Sequence, residues 1–403
     1  MLTHDTPIAE GMAEATASPA ANWSAVFALS LCVFTLIASE FMPVSLLTPI
    51  AAELRVTEGQ AGQAIAVSGA FAVLTSLFIT AVAGRLDRKI LLLALTGLMI
   101  ASGAIVATAP SYTVFMTGRA LIGIVIGGFW SLSAATAMRL VPEQQVPRAL
   151  AILNGGNALA TVVAAPLGSF LGGIIRWRGA FFCVVPVAVV VFVWQFISLP
   201  SMKTEARATS AHVFYLLRRP VVCLGMAAVS VFFMGQFALF TYLRPFLETV
   251  TRVDLSALSL ILLLIGFTGF IGTVLIERFV RIDLYRTLIV IPAIMAVIAA
   301  ALIGFGASLL VTAALLGVWG LLATSAPVGW WTWLSRTMPR DAEAGGGLMV
   351  AVVQLAITIG ATVGGVLFDA SGYQATFGAA AVLLVIAAWL AAKTAQRAAL
   401  APS

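Results

Sequence analysis

Charge is what this chain has least of. Asp, Glu, Lys and Arg make up 9% of its 403 residues, where a soluble globular domain carries roughly 25%. So little charge excludes a water-facing surface over most of the length. Histidine is nearly absent, and the two present, His4 and His212, lie outside every apolar run. The three cysteines, Cys32, Cys183 and Cys223, are far apart inside apolar stretches. That placement argues against a disulfide framework or a metal site and marks them as small core residues. No P-loop is present, so no ATPase domain supplies energy. Neither cofactor nor metal is expected. The first 21 residues hold no Lys or Arg, and the apolar run that follows is too long for a signal-peptide core. They read as a short cytoplasmic tail.

What the chain has is hydrophobicity: 61% of its residues are apolar and the mean hydropathy is +1.08. This is a polytopic membrane protein. The net charge of +6 does not point to nucleic acid, because bilayer proteins concentrate Lys and Arg in cytoplasmic loops for topological reasons. Measured against the roughly 20 residues that cross a bilayer as a helix, apolar runs predict twelve spans. They fall near 23–50, 61–84, 90–109, 112–138, 147–175, 179–199, 220–247, 256–279, 284–305, 308–335, 343–369 and 373–393. The widest polar break, Ser198 to Pro220, falls in the middle. The expected architecture is therefore all-α, with two six-helix bundles at 22–199 and 220–394. A cytoplasmic tail at 1–21, a cytoplasmic linker at 200–219 and a cytoplasmic tail at 395–403 complete it.

With the N-terminus inside, sixteen of the 22 Lys and Arg residues face the cytoplasm and five face outward, which sets both termini on the cytoplasmic side. The halves also match each other. At an offset of 196 residues, Leu159, Ala160, Ala165, Gly168, Leu171 and Phe181 meet Leu355, Ala356, Ala361, Gly364, Leu367 and Phe377. A fixed offset across two spans favours a duplicated six-helix unit, the parallel repeat of major facilitator transporters.

Against this background Glu40 stands out. It lies in the first span with no neighbouring charge, and a carboxylate at that depth is costly unless it has a partner or a task. A helix-end acid reaching the headgroups is the plainer alternative, with Pro43 and Pro49 able to bend the helix there. Proton antiport requires a group that is ionised in one state and neutral in another, and a carboxyl in low dielectric meets that need. Arg119, in the fourth span, is the one base inside a span. It cannot give up its proton, so its expected part is to hold or repel the charge of Glu40; the alternative is a structural arginine satisfied by carbonyls.

Three motifs add to this. Gly84-Arg85-Leu86-Asp87-Arg88-Lys89 joins the second and third spans and resembles the superfamily's acid-and-base loop, shortened and lacking its second glycine. The resemblance implies a conformational latch made by Gly84, Asp87, Arg88 and Lys89, where the residues alone also allow a plain positive-inside loop. Arg119 with Gly123 and Gly127 resembles the RxxxGxxxG element, in which glycines let another backbone approach. Ala165-Pro166-Leu167-Gly168 resembles the helix-packing motif of the superfamily's antiporters, with alanine in place of the glycine before Pro166.

Candidate substrate contacts are polar or aromatic residues inside spans: Asn154, Asn157, Gln236, Thr241, Tyr242, Trp330, Trp331 and Gln354, since buried amides must find partners. Trp130 lies about 20° around the helix from Arg119 and shares its face; Phe240 offers another plane. Trp333 reads better as an interfacial belt residue. Taken in order, NWSAVF at 22–27, EFMPVSLLTP at 40–49, GGFW at 127–130, APLGSFLG at 165–172, GQFALFTYLRP at 235–245 and PVGW at 327–330 resemble the bacterial purine ribonucleoside efflux pumps of the superfamily's drug:H+ antiporter-like branch. That resemblance implies a monomeric exporter of inosine, guanosine and analogues in the inner membrane, driven by protons. From the residues alone, a sugar or drug exporter, an uncoupled facilitator and a receptor remain alternatives.

Overall fold

The computed structural model describes residues 21–83, 86–202, 214–338 and 342–400. Most of the expected N-terminal tail, Gly84 and Arg85 of the loop motif, and 203–213 of the linker lie outside the described residues. The helices are α1 (Trp23–Ser45), α2 (Leu47–Leu54), α3 (Glu58–Ala83), α4 (Arg88–Ala107), α5 (Tyr112–Arg139) and α6 (Val146–Ser198). After the linker come α7 (Pro220–Phe240), α8 (Leu243–Phe246), α9 (Leu255–Ile282), α10 (Leu284–Phe305), α11 (Leu309–Thr337) and α12 (Ala342–Ala399). A π turn, Leu247–Thr251, follows α8. Among the described residues there is no strand.

Ten of these helical segments are long and apolar enough to cross a bilayer, and two of them do so twice. α6 has 53 residues and α12 has 58, about 80 and about 87 Å if straight, against a hydrocarbon core of about 30 Å. Both break in the middle. In α6 the helical path fails at Ile175 and at Arg176, whose φ is 64°; in α12 it fails at Gly372, φ 74°. Arg176 and Gly372 are one repeat offset apart, so the same reversal is made by glycine in one half and by a strained arginine in the other. The result is twelve crossings, as the apolar runs predict: α1 with α2, α3, α4, α5 and two limbs of α6, then the equivalent set.

The first predicted span is not one helix. Pro49 has no N–H to give to the Ser45 carbonyl four residues back, and the chain breaks at Leu46 between α1 and α2. Elsewhere the helix starts are those the sequence announces. Asn22, Asp87, Asp254 and Asp283 each accept a backbone N–H of the first turn, and Thr57 with Gln60 makes a reciprocal capping box on α3.

Each half has its own apolar core, and glycines bring the helices inside it together. A Cβ on Gly123 would overlap the Ser68 carbonyl oxygen, and one on Gly127 that of Ala72, so α5 lies backbone to backbone on α3. Gly156 meets the Ser30 carbonyl and Gly168 the Ser45 hydroxyl, setting the first limb of α6, with buried Pro166, against α1. Gly123→Leu is therefore expected to push α5 off α3 at a cost of at least ~1–3 kcal/mol, read as a lowered thermal midpoint of the purified protein.

Large apolar side chains cover the outside, Ile197, Ile282 and Leu310 among them at 75% exposure or more. In water such a surface would drive association; in a bilayer it matches its solvent. Two of the cysteines belong to this outer surface: Cys32 is buried, but Cys183 and Cys223 are exposed rather than core residues. Trp333 departs from expectation in the opposite sense. It is fully buried, its ring lying where a Cβ on Gly225 would be, so it is a core residue of the second half and not an interfacial one.

The two halves meet along α3 with α12 and along α6 with α9. The crossings are tight and related by the repeat: a Cβ on Gly69 would strike Thr358, and one on Gly266 would strike Val162. Two ends of the molecule can be distinguished. One carries Asn22, Asp87 and the chain entering the linker, and is the linker end. The other, the far end, carries the connections around Arg55, Arg176 and Arg252.

Candidate functional site

Hydrogen bonds join the two halves in the middle and far-end layers. Farthest from the linker, Asp369 of α12 reaches the start of α3, accepting from the Thr57 hydroxyl at 2.5 Å and from the Gly59 N–H at 2.9 Å. It thereby adds a carboxylate from the second half to a helix N-terminus of the first. The Tyr242 hydroxyl, fully buried, donates to the Ala361 carbonyl at 2.8 Å and reaches the Gly59 carbonyl at 3.4 Å. The Arg244 guanidinium bonds the Ser45 carbonyl, the acceptor that Pro49 leaves open. Thr362 and Thr358 bond Gln63 and the Ala66 carbonyl. This seam closes the far end.

Deeper still lies Glu40, about 25 Å along the chain from Trp23 if helical throughout and 4% exposed. Pro43 shapes its surroundings: lacking an N–H, it leaves the Ser39 carbonyl without its helical donor. Arg119 takes that carbonyl at 2.7 Å, the Glu40 carbonyl at 2.9 Å, the Ala64 carbonyl at 3.2 Å and the Ser68 hydroxyl at 3.2 Å. The guanidinium thus ties α5 to α1 and α3 through four acceptors. It does so without an ion pair to the Glu40 carboxylate. That carboxylate accepts a long bond, 3.4 Å, from the Gln354 amide of α12. The site is a carboxyl in the first half, addressed across the interface by a neutral donor from the second.

The remaining sequence candidates divide by position. Gln354 is in direct contact with Glu40, as above. On α6, Asn154 is exposed and Asn157 half-buried, within roughly 60° of each other around the helix. They lie on the strip between the contact with α1 at Gly156 and that with α9 at Val162. Gln236 is half-buried, with its carbonyl oxygen buried and without a partner, and Thr241 has an unpartnered buried hydroxyl. Phe240 is half-buried and edge-on to Phe237 at 6.1 Å. Trp130 is half-buried on the core of the first half. Trp330 is 2% exposed and packed edge-on to Trp333, while Trp331 is 45% exposed. Tyr242 sits in the far-end seam. Of the loop motif, Asp87 caps α4 and holds Ser201 and the Met202 N–H. The Arg88 N–H bonds the Met202 carbonyl, and Lys89 lies over the Phe196 ring. These residues grip the beginning of the linker. A surface crease of about 310 Å³ lined by Leu260, Leu263, Leu264 and Phe267 is apolar and faces outward, away from this chemistry.

Sequence reasoning passed over Asp369, Arg244, Phe41 and Phe237. Phe41 and Phe237 carried a usable signal: they are one repeat offset apart, and each directly follows its half's polar residue, Glu40 or Gln236.

Twelve crossings in two repeated halves, a seam closed at one end and a buried carboxyl between the halves define a membrane transporter rather than an enzyme. The sequence profile of the Major Facilitator Superfamily matches residues 29–356, and the chain belongs to that superfamily. Among characterised relatives it is 64% identical, over 93% of its length and 94% of theirs, to the "Transcription regulatory protein OpdE" of Pseudomonas aeruginosa. It is 42% identical, over 92% of this chain and 94% of the relative, to the "Purine ribonucleoside efflux pump NepI" of Salmonella typhimurium. Among solved structures, a D-xylose-proton symporter superposes with a TM-score of 0.71 at 16% identity, covering 92% of this chain and 96% of the other, a likeness of fold alone.

Proposed function

We propose that this protein exports purine ribonucleosides, inosine, guanosine and their analogues, across the bacterial inner membrane in exchange for protons. In this reading the linker end and both termini face the cytoplasm, where the excess of Lys and Arg belongs, and the sealed far end faces outward. The observation that carries it is the Glu40 carboxyl at the interface of the halves. Among the described residues it is hydrogen-bonded by the Gln354 amide and forms no ion pair, with Arg119 bonded to carbonyls, so it can gain or lose a proton without breaking one. Trp130, Phe240, Trp330 and Trp331 supply ring planes for a base. Asn154, Asn157, Gln236 and Gln354 supply hydrogen bonds to ribose and ring edges, and Tyr242 closes the exit. Asp87, Arg88 and Lys89, with Gly84, latch the linker end, and one chain suffices.

The regulatory name of the 64%-identical relative is compatible with export. A pump that lowers the cytoplasmic level of an effector changes transcription without touching DNA, and that relative aligns over nearly the same length. A sugar or drug exporter and an uncoupled facilitator are the competing readings. Proteoliposomes containing the purified protein decide between them. Guanosine and inosine are expected to exchange in counterflow, and substrate flux against an imposed pH gradient is expected to shift luminal pH. Exchange of sugars or cationic drugs but no nucleoside would overturn the substrate; nucleoside flux with no pH change would overturn the coupling.

A further inference from the structure

Phe41 of α1 and Phe237 of α7 come from different halves and stack with ring centroids 5.7 Å apart at 27°. They are one repeat offset of 196 apart in sequence. Two equivalent residues of a duplicated unit meet face to face only where the axis relating the halves passes between them. Phe41 is half-buried and packs on the cores of both halves. Phe237 is 5% exposed and held from its other sides, stacked on Phe233 at 6.5 Å and edge-on to Phe240 at 6.1 Å. One ring is therefore braced and its partner is the freer leaf. About one turn further toward the far end, Arg244 bonds the Ser45 carbonyl, and Tyr242 and Asp369 follow. The phenyl pair thus lies at the inner end of the seam, next to the Glu40–Gln354 bond. Whatever passes along the axis must part it.

We propose that Phe41 and Phe237 are the aromatic gate of the transport path, on which a planar heterocyclic base stacks as the two rings separate. This deepens the nucleoside reading and rests on it for the identity of the base. Parting the pair strips a ring face from each half of its stacking partner. A flat aromatic ligand restores both contacts, because every base presents a π-face; a saturated sugar of similar size restores neither. A ligand that favours the parted state over the closed one shifts the population toward it, so the loaded protein opens and the empty one stays shut. The groups that precede the two rings complete the recognition. Glu40 with Gln354 stands beside one, and Gln236, whose buried carbonyl oxygen lacks a partner, beside the other. That oxygen takes an N–H or O–H from the ligand's edge.

The test uses the full-length protein with Phe41→Leu, Phe237→Leu, Phe41→Tyr and Phe237→Tyr, each checked for a monodisperse, folded peak. Guanosine and D-ribose serve as probes in binding and counterflow. The leucine variants are expected to bind guanosine at least tenfold more weakly and to lose its counterflow in step, with the tyrosine variants near wild type. Should Phe237→Leu fail to fold, half-buried Phe41→Leu and its tyrosine rescue carry the test. Wild-type affinity and exchange of guanosine in Phe41→Leu would overturn the gate. If the wild type takes no nucleoside but does take another aromatic compound, the nucleoside reading falls and the variants are scored on that compound. If it takes only saturated ligands, both fall.

Discussion

Glu40→Gln is expected to abolish uphill export while leaving nucleoside exchange measurable. The amide has the shape of the carboxyl and keeps an oxygen for the Gln354 donor. No ion pair is lost, since the Arg119 guanidinium bonds the backbone carbonyls of Ser39 and Glu40 rather than the Glu40 carboxylate. What disappears is the ability to bind a proton on one side and release it on the other. One proton exchanged per substrate across a gradient of one pH unit supports up to about tenfold accumulation, because each unit is worth ~1.4 kcal/mol. The substituted protein should equilibrate substrate to a ratio near one. The measurement is accumulation in energised vesicles beside counterflow in de-energised ones. Retained accumulation would remove Glu40 from the coupling path. Loss of both binding and exchange would make the carboxylate an anchor for substrate instead.

Arg119→Leu is expected to cost the protein its fold rather than its coupling. Four acceptors on two helices bond that side chain, and one of them, the Ser39 carbonyl, has no helical donor because position 43 is proline. In the membrane interior no water replaces it. Orphaning that carbonyl costs ~1–3 kcal/mol and losing three further hydrogen bonds to a charged group costs ~1.5–3 kcal/mol each, which together rival the ~5–15 kcal/mol that typically separates folded from unfolded protein. The variant should be depleted from membranes or, if purified, melt far below wild type. Arg119→Lys keeps the charge but offers three donors from one point in place of a planar fork, so an intermediate midpoint is expected. A Leu variant with an unchanged midpoint and only its proton coupling lost would place Arg119 in the proton path instead.

Much of the architecture was legible because a bilayer leaves few options. Twelve apolar runs, the sign of the loops and the 196-residue offset lead to two halves of six crossings, and the break at Gly372 falls between the two runs that border it. The break in α6 likewise falls at the junction of the runs 147–175 and 179–199, although Arg176, which adopts a positive φ there, is no turn-former by composition. At the site, Glu40 and Arg119 could be picked out as charges in apolar runs, but their partners could not. A proline frees a carbonyl four residues earlier by a local rule, yet what takes the carbonyls freed by Pro43 and Pro49 is decided by helices 76 and 195 residues on. Phe41 and Phe237 were hidden for the opposite reason: one more Phe among 24 in an apolar chain carries no local signal, and only superposing the halves singles the pair out.

The π turn at Leu247–Thr251 records how the halves diverged. Pro49 and Pro245 are 196 residues apart, but Arg55 and Arg252, both left-handed and both ending the same crossing, are 197 apart. The surplus residue therefore arose between these landmarks, where the π turn lies. An added residue in an α-helix would swing everything after it by about 100°, and a π turn takes up such an insertion locally. Downstream, Gly69 and Gly266 keep the spacing of 197 and their matching contacts, on Thr358 and Val162, two residues that are again 196 apart. After duplication, one copy of the ancestral unit gained a residue at the mouth of the molecule without turning the helix beyond it. That end is where the two copies became free to differ in length while their packed middles were held in register.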